Sequence, residues 1–188
     1  HGSRTLLEMV NTLLDIGRLE AAKFPLDRAE TDLSSLVEAA LQDVRVPASQ
    51  QGVDLSSQVP PQTPRVTADQ TVIRRVLTNL LSNAIRFTPN GGHVAVSTAF
   101  SADKGGVVVT VSDTGQGIPK DYHEKIFEKF GQVQLRQTGT KTGAGLGLTF
   151  CKLAIEAHGG RIWVESEEGR GTRMSFLVPV APGREERH

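Results

Sequence analysis

The chain has 188 residues, with 21 lysines and arginines against 21 aspartates and glutamates, so its formal net charge at pH 7 is zero. This balance excludes the basic surface of a typical nucleic-acid-binding domain, and the single cysteine, Cys151, excludes an internal disulfide framework and a cysteine-cluster zinc site. No apolar run approaches the ~18 residues of a membrane span and no secretory signal opens the chain, so we expect a soluble, cytoplasmic protein or fragment.

The first half of the sequence predicts three helices. Residues 4–23 place apolar side chains at three-four spacing, which gives one apolar face that could pack on the following domain or on a second copy. The FPLD sequence then ends this helix, because a residue before proline avoids the helical region. Residues 31–41 and 69–87 predict the next two helices, with a capping box formed by Thr67 and Gln70, and residues 51–59 predict a short strand between them.

The second half predicts strands that alternate with shorter helices. Residues 91–100, 106–113, 161–166 and 171–180 are rich in β-branched or alternating apolar side chains, which favours strands. Residues 121–130 and 146–157 predict helices, and the segment between them is polar. This mixture of helices and hairpin-like strand pairs predicts a layered α+β domain.

The third predicted helix carries two asparagines, Asn79 and Asn83, on one face, with Arg86 on the next turn. Asparagine is a mediocre helix former, and one interpretation is that both amides are solvated or locally hydrogen-bonded. The alternative is that an amide oxygen binds Mg²⁺, which prefers oxygen and often takes only one or two protein ligands beside substrate phosphates.

Two glycine-containing segments follow. DTGQGIP, residues 113–119, is either a turn or a loop whose aspartate accepts a hydrogen bond from an exocyclic amine. GAGLGL, residues 143–148, opens a helix, and its backbone N–H groups suit an anion. Neither a Walker loop nor a dinucleotide fingerprint fits this spacing, and the eukaryotic protein kinase motifs are absent.

Five segments of the chain together resemble the catalytic ATP-binding domain of bacterial sensor histidine kinases. In chain order they are NLLSNAIRFTP, DTGQGIP, IFEKF, GAGLGL and GRGTRMSFLVPV. The resemblance implies a Bergerat-type fold shared with gyrase, Hsp90 and MutL. That fold is a two-layer α/β sandwich in which a mixed, mostly antiparallel sheet packs on helices. Here it would be preceded by a helix fragment.

The resemblance also implies ATP and Mg²⁺ as cofactors and assigns site residues. Asn83 matches the Mg²⁺-binding asparagine, and Asn79 and Arg86 match catalytic positions near the metal and phosphates. Asp113 matches the aspartate that binds the adenine amino group, with Thr172 beside it. The other cofactor-binding residues that it implies are Phe87, Gly115, Gly117, Ile118, Phe130, Lys141, Gly143, Gly145, Leu146 and Gly147.

Asn79 separates two reactions within this superfamily. The hydrolysing members have a glutamate there as the general base for water, and an amide cannot take a proton from water at neutral pH. The sequence therefore favours phosphoryl transfer over hydrolysis. The alternatives are a serine kinase of the anti-sigma-factor type on the same fold and a non-catalytic nucleotide-binding signalling module.

The resemblance divides the chain into three parts. Residues 1–24 resemble the end of the dimerisation and phosphoacceptor hairpin, residues 25–181 the catalytic domain, and residues 182–188 a flexible tail. The acceptor histidine would lie outside this fragment, because His1 is too close to residues 4–23 for a hairpin turn. The implied partners are that acceptor hairpin and a response regulator receiver domain. The parent is expected to be a homodimer, which could be membrane-anchored although this fragment makes no membrane contact.

The remaining conspicuous side chains favour structural roles. His158 precedes a glycine that caps a helix, where a polar or cationic side chain suits the C-terminus. Cys151 lies on an apolar helical face, and Trp163 alternates with apolar residues in a strand. His93 and His123 are expected at the surface.

Overall fold

The computed structural model describes residues 2–131 and 145–180, with side chains from residue 5 onward. Four α-helices, seven strands and two single 3₁₀ turns make up this part of the chain. In order they are α1 (Gly2–Glu20), β1 (Ala29–Thr31), α2 (Leu33–Gln51), β2 (Asp54–Gln58), β3 (Val66–Ala68), α3 (Gln70–Phe87), β4 (His93–Ser101), β5 (Gly106–Asp113), the 3₁₀ turns Lys120–Tyr122 and Lys125–Phe127, α4 (Gly147–Ala157), β6 (Arg161–Ser166) and β7 (Thr172–Pro179).

The main sheet has five strands in the order β2-β4-β5-β7-β6. β2 is parallel to β4, and the other pairs are antiparallel. Alternate residues of the central strands, such as Val109 and Phe176, are buried beneath the helices. A separate two-stranded ribbon joins β1 to β3. The architecture is the predicted α+β sandwich of a mixed sheet packed on helices.

The helix α2 is ten residues longer at its C-terminus than the sequence predicted, since it ends at Gln51 instead of residue 41. It continues through Pro47, which removes one backbone donor. Val44 and Ala48 lie on its inner face and are buried, and this burial offsets the effect of the proline. The helix ends at Gly52, whose φ of 68° is a common helix-terminating conformation.

Two further predictions of local structure were wrong. Residues 121–130 form no α-helix, and part of this segment lies in the two 3₁₀ turns, whose buried side chains are Ile126 and Phe127. The third helix is capped by Asp69, whose Oδ1 accepts from the Val72 N–H at 3.1 Å, and the expected capping box of Thr67 and Gln70 does not form.

The helix α1 packs partly on the domain that follows it. Ile16 and Leu19 are buried and Met9 is half-buried, whereas the other apolar side chains of this helix are exposed. One helical face is therefore divided between the domain and the surface, and the exposed residues are Leu6, Leu7, Val10, Leu13 and Leu14. No helix in residues 2–131 or 145–180 combines the length and apolar character that crossing a bilayer requires.

Candidate functional site

The polar face of α3 begins the site. Asn79 and Asn83 are half-buried and lie one turn apart, while Leu77, Leu80 and Leu81 fill the core on the other side. Arg86 Nη2 donates a hydrogen bond to Asn83 Oδ1. Desolvation lowers the pKa of Arg86 from its ordinary value, although a guanidinium remains cationic at neutral pH. This face therefore presents two amides beside one positive charge.

The aromatic ring of Phe87 lies at the end of the same helix. It is 44% exposed, and the Arg86 guanidinium carbon lies 5.1 Å from its ring centroid. A large apolar ring exposed at the rim of a polar face can cover a planar ligand. The exposed ring of Phe87 is therefore compatible with the predicted position beside a base.

Asp113 ends β5 with one carboxylate oxygen already engaged. Oδ1 accepts from the Gly115 N–H at 2.8 Å and from the Thr172 N–H at 3.2 Å. Burial raises the pKa of Asp113 above the ordinary aspartate value, and these two backbone donors oppose that rise. Within the described part of the chain both hydrogen bonds end on Oδ1, so Oδ2 is available to accept from a ligand.

Ser166 is a site residue that the sequence analysis missed. Its Oγ accepts from the Ile118 N–H at 2.7 Å and donates to the Gly171 carbonyl at 2.8 Å. It also lies 2.9 Å from Thr172 Oγ1. Because the single Ser166 proton goes to Gly171, Thr172 donates to Ser166 and keeps its own lone pairs for a ligand. The available signal was a polar residue at an inward position, following Ile162 and Val164 in alternation.

The two glycines of the DTGQGIP loop have packing reasons of their own. A Cβ at Gly115 would lie 2.5 Å from the Phe87 carbonyl oxygen. Gly117 has a φ of 73°, and a Cβ there would overlap the Glu167 carbonyl. The resemblance implies that these glycines bind the cofactor, and in the structure each also lies close to the protein backbone. The loop is thereby fixed against the end of α3.

The two ends of the polar segment meet at the same place. The Phe130 N–H donates to the Gly145 carbonyl at 3.0 Å, and Phe130 is 63% exposed with a φ of 60°. The Leu146 side chain is buried in the core, so this residue can offer a nucleotide only its backbone. Gly147 begins α4 against Asn79, where a Cβ would lie 3.2 Å from the asparagine Oδ1.

These contacts connect the described site residues to one another. Thr172 contacts Asp113, the Asp113 loop contacts the end of α3, and the start of α4 contacts Asn79. The Ile118 side chain packs on the core, and its amide joins the Ser166 network. Two predicted positions, Lys141 and Gly143, lie outside the described residues.

A cavity of about 510 Å³ lies next to this site, and no residue of α3 or α4 lines it. Its lining includes Asp113 and Thr172, together with Ser112, Glu165 and Arg173. Alternation along the strands places the last three on the sheet face opposite the helices. The cavity is therefore on the other side of Asp113 from Asn83 and Gly145.

A metal at this site would need an unusual set of protein ligands. Among residues 2–131 and 145–180, no group of three or more His, Cys, Asp or Glu side chains could hold a metal ion. The available ligands are the amide oxygens of Asn79 and Asn83. Such a sparse, uncharged set fits Mg²⁺ bound mainly by phosphate and water, and does not fit a tightly held structural metal.

A family model described as "Histidine kinase-, DNA gyrase B-, and HSP90-like ATPase" matches residues 68–182. The chain belongs to this family. The match includes α3, the Asp113 loop and the start of α4, and it confirms the resemblance to histidine kinase ATP-binding domains.

Individual relatives give the same result. The chain is 37% identical to "Hybrid signal transduction histidine kinase D" of Dictyostelium discoideum, over 98% of this chain and 12% of that protein. Among solved structures it resembles full-length ShkA in complex with AMPPNP, with a TM-score of 0.83, 32% identity and coverage of 95% of this chain and 36% of that one. It also resembles the catalytic domain of the histidine kinase ThkA, with a TM-score of 0.70, 31% identity and coverage of 82% of this chain and 96% of that domain.

The chain spans less than half the length of three curated relatives: it covers 12%, 45% and 29% of their lengths. Those three are named as histidine or sensory kinases.

Proposed function

We propose that this chain is the catalytic ATP-binding part of a sensor histidine kinase. The observation that carries the proposal is Asp113, which is half-buried and holds Oδ1 against two backbone donors while Oδ2 remains available. A carboxylate oxygen held in this way suits the exocyclic amine of adenine, because charged hydrogen bonds are strong and orientation-dependent. Guanine presents an acceptor at the same position and would be disfavoured.

The phosphates and metal would lie at the other end of the site. Asn83 is the candidate Mg²⁺ ligand, and its Oδ1 accepts from Arg86 in this structure. Since a cation and a guanidinium compete for one oxygen, metal binding would release Arg86 to the phosphates. A bound Mg²⁺ would supply charge neutralisation to the phosphates, and the backbone N–H groups near Gly145 and Gly147 would orient the same phosphates.

Asn79 favours transfer over hydrolysis. It lies against the first residue of α4, and its amide has no basic atom with which to activate water. Phosphoryl transfer depends mainly on positioning and charge neutralisation, which this site can supply without a general base for water. The γ-phosphoryl would pass to a histidine outside this fragment and then to an aspartate of a response regulator.

The helix α1 fits the end of the hairpin that would carry the acceptor. Full-length ShkA covers 95% of this chain, whereas the isolated ThkA catalytic domain covers 82%. The difference is about the size of α1 and the linker that follows it. We therefore assign residues 1–24 to the dimerisation hairpin of a homodimeric parent and residues 25–181 to the catalytic domain, with both acting in the cytoplasm.

Titration calorimetry of the chain with ATP, with and without Mg²⁺, tests the nucleotide site. We expect a Kd of roughly 1 µM to 1 mM, lost in Asp113→Ala and kept in the matched control Asp103→Ala, which changes an exposed turn aspartate. Absence of binding by the unmutated chain would refute the proposal.

A second assay tests the kinase activity. Radiolabelled ATP and an added histidine hairpin from a related kinase should give phosphohistidine, which is acid-labile and base-stable. Curated relatives named as histidine kinases favour this product over phosphoserine. Nucleotide binding without transfer to any added acceptor would favour the non-catalytic signalling module.

A further inference from the structure

The helices α3 and α4 run antiparallel with a fixed register. Arg75 lies over the Phe150 ring with its guanidinium carbon 3.8 Å from the centroid, and Cys151 Sγ lies 3.8 Å from the Val76 carbonyl oxygen. Gly147 abuts Asn79 at one end of the pair. Residues near the C-terminus of α3 therefore lie opposite residues near the N-terminus of α4.

His158 lies at the other end of this pair, immediately after α4. Its side chain is 2% exposed. Nδ1 lies 2.7 Å from the Ala154 carbonyl, and Nε2 lies 3.0 Å from the backbone nitrogen of Asp69. A carbonyl can only accept and an amide N–H can only donate, so the ring is neutral, with its proton on Nδ1. A protonated ring would direct its Nε2 proton at the Asp69 N–H.

Asp69 joins His158 to two further segments. It is the N-cap of α3, and its Oδ2 also accepts from the Asp27 N–H at 2.9 Å. The neighbouring Arg28 donates to the Ala157 carbonyl at the end of α4. The start of α3, the end of α4 and the linker after α1 therefore meet around one imidazole.

The hydrogen bond from the Asp69 N–H to His158 Nε2 can hold this register more sharply than the contacts along the middle of the helix pair. These contacts include the stacking of Arg75 on Phe150 and the weak contact of Cys151 Sγ with the Val76 carbonyl at 3.8 Å, and both depend less on distance and angle than a hydrogen bond between nitrogen atoms does. A hydrogen bond loses strength steeply with distance and angle, and sliding would leave the buried Asp69 N–H without an acceptor, which is costly. Because helices are stiff along their axes, a register fixed at His158 is transmitted to Gly147 and Asn79.

We propose that His158 is a positioning residue that sets the register of α4 against α3, and thereby places Gly145 and Gly147 opposite Asn79 and Asn83. This inference rests on the proposed nucleotide site and assigns to it a residue at the far end of the helix pair. Asp113 and Thr172 lie on the sheet and are held by their own hydrogen bonds. Loss of the His158 register should therefore disturb phosphate and metal binding and leave adenine recognition intact.

A merely structural histidine would behave differently. Removing it would lower stability, and any effect on ligands would fall on adenosine and ATP alike. The two roles are distinguished by the ratio of the Kd for adenosine to the Kd for Mg-ATP, measured on folded protein at one pH. Adenosine uses only the Asp113 end of the site, whereas Mg-ATP uses both ends.

The experiment compares three variants of the full 188-residue chain by calorimetry, with circular dichroism as a check of folding. In His158→Leu both hydrogen bonds are lost, and we expect Mg-ATP to bind about tenfold more weakly or worse, with adenosine affinity unchanged. His158→Gln offers an amide oxygen to the Asp69 N–H and should recover most of the Mg-ATP affinity. His158→Asn is polar and shorter, so it keeps the Ala154 bond and fails to reach Asp69.

The outcomes are separable. If His158→Leu does not fold, His158→Asn carries the test, and it should show the same selective loss of Mg-ATP affinity. Unchanged Mg-ATP affinity in the folded variants, or equal weakening of adenosine and Mg-ATP, would overturn the register role and leave the nucleotide site standing. Absence of ATP binding by the unmutated chain would overturn both.

Discussion

Arg75 and Asp15 join α1 to the domain through one ion pair, with Arg75 Nη1 lying 2.5 Å from Asp15 Oδ2. The same guanidinium donates to Thr12 Oγ1 at 3.0 Å and stacks on Phe150. One side chain thus contacts α1 and α4 from α3, beside the buried Ile16. The position of α1 on the domain is therefore determined by a polar contact as well as by apolar burial.

We expect Asp15→Asn to loosen α1 without unfolding the domain. The pair is partly exposed, so its loss should cost about 0.5–1 kcal/mol and raise amide exchange rates along α1 by about two- to fivefold. Hydrogen exchange with mass spectrometry measures this. The matched control is Asp43→Asn, which removes the neighbouring Arg74 pair between α2 and α3. Equal acceleration of α1 exchange in both variants would show that Asp15 has no special role in docking.

The substitution Asp113→Asn should change nucleotide selectivity. The amide replaces a charged acceptor with a group that both donates and accepts, so ATP should bind about 10- to 100-fold more weakly, as expected for a lost charged hydrogen bond. GTP should lose less, since the new N–H can donate to the guanine carbonyl. Competition between the two nucleotides measures the ratio. Parallel weakening of ATP and GTP would count against adenine recognition by Asp113.

The Asn83→Ala substitution should remove the dependence of ATP binding on Mg²⁺. We expect the affinity measured with Mg²⁺ to fall to the metal-free level, because the amide oxygen is the best-placed metal ligand on α3. Ser82→Ala, on the exposed side of the same helix, is the control and should keep the metal dependence. Titrations with and without Mg²⁺ make the comparison, and a persistent metal effect in Asn83→Ala would remove Asn83 from the site.

Much of the sheet could be predicted because its signals are local. In β5, GVVVTVSD places valines on the inner face, and the strand ends at Asp113, as the sequence analysis expected. The length of α2 was not predictable from its sequence, since Pro47 argues for an early end and only the burial of Val44 and Ala48 overrides it. The β1–β3 ribbon has strands of three residues, which are too short to produce a pattern.

The contacts that organise the site are long-range and leave no local signal. Asp69 and His158 are 89 positions apart, and Arg75 and Asp15 are 60 apart. The sequence predicts His158 to be a polar or cationic group at a helix end, whereas the structure holds its ring neutral between two backbone groups. The family pattern predicts roles for the motif residues, and these roles stay predictions, while the contacts that support those residues are seen only in the fold.

Stability should decrease in mild acid because of His158. Burial lowers its pKa below 6.5, with an opposing contribution from the Ala154 carbonyl, and Arg28 and Asp69 are the charged groups that influence it. The unfolded state then binds more protons than the folded state as the pH falls from 6.5 toward the lowered pKa. The contribution of His158 to the free energy of unfolding is fully present above pH 6.5 and is lost as the pH falls from 6.5 through the lowered pKa. Urea denaturation at several pH values measures the slope, which His158→Gln should flatten; an unchanged slope would refute the assignment.

Gly117→Ala should destabilise the domain more than a matched glycine substitution does. Gly117 and Gly169 both have a left-handed φ, of 73° and 81°, but only Gly117 has no room for a Cβ, because the Glu167 carbonyl lies against it. The conformational cost alone is about 1–2 kcal/mol for Gly169→Ala, and the added overlap should take Gly117→Ala beyond about 3 kcal/mol. Urea unfolding gives both values. Equal destabilisation by both variants would show that the loop can shift to accept a methyl group. Because Gly117 packs the Asp113 loop on the β6–β7 turn, the folded fraction of Gly117→Ala should also bind adenosine more weakly.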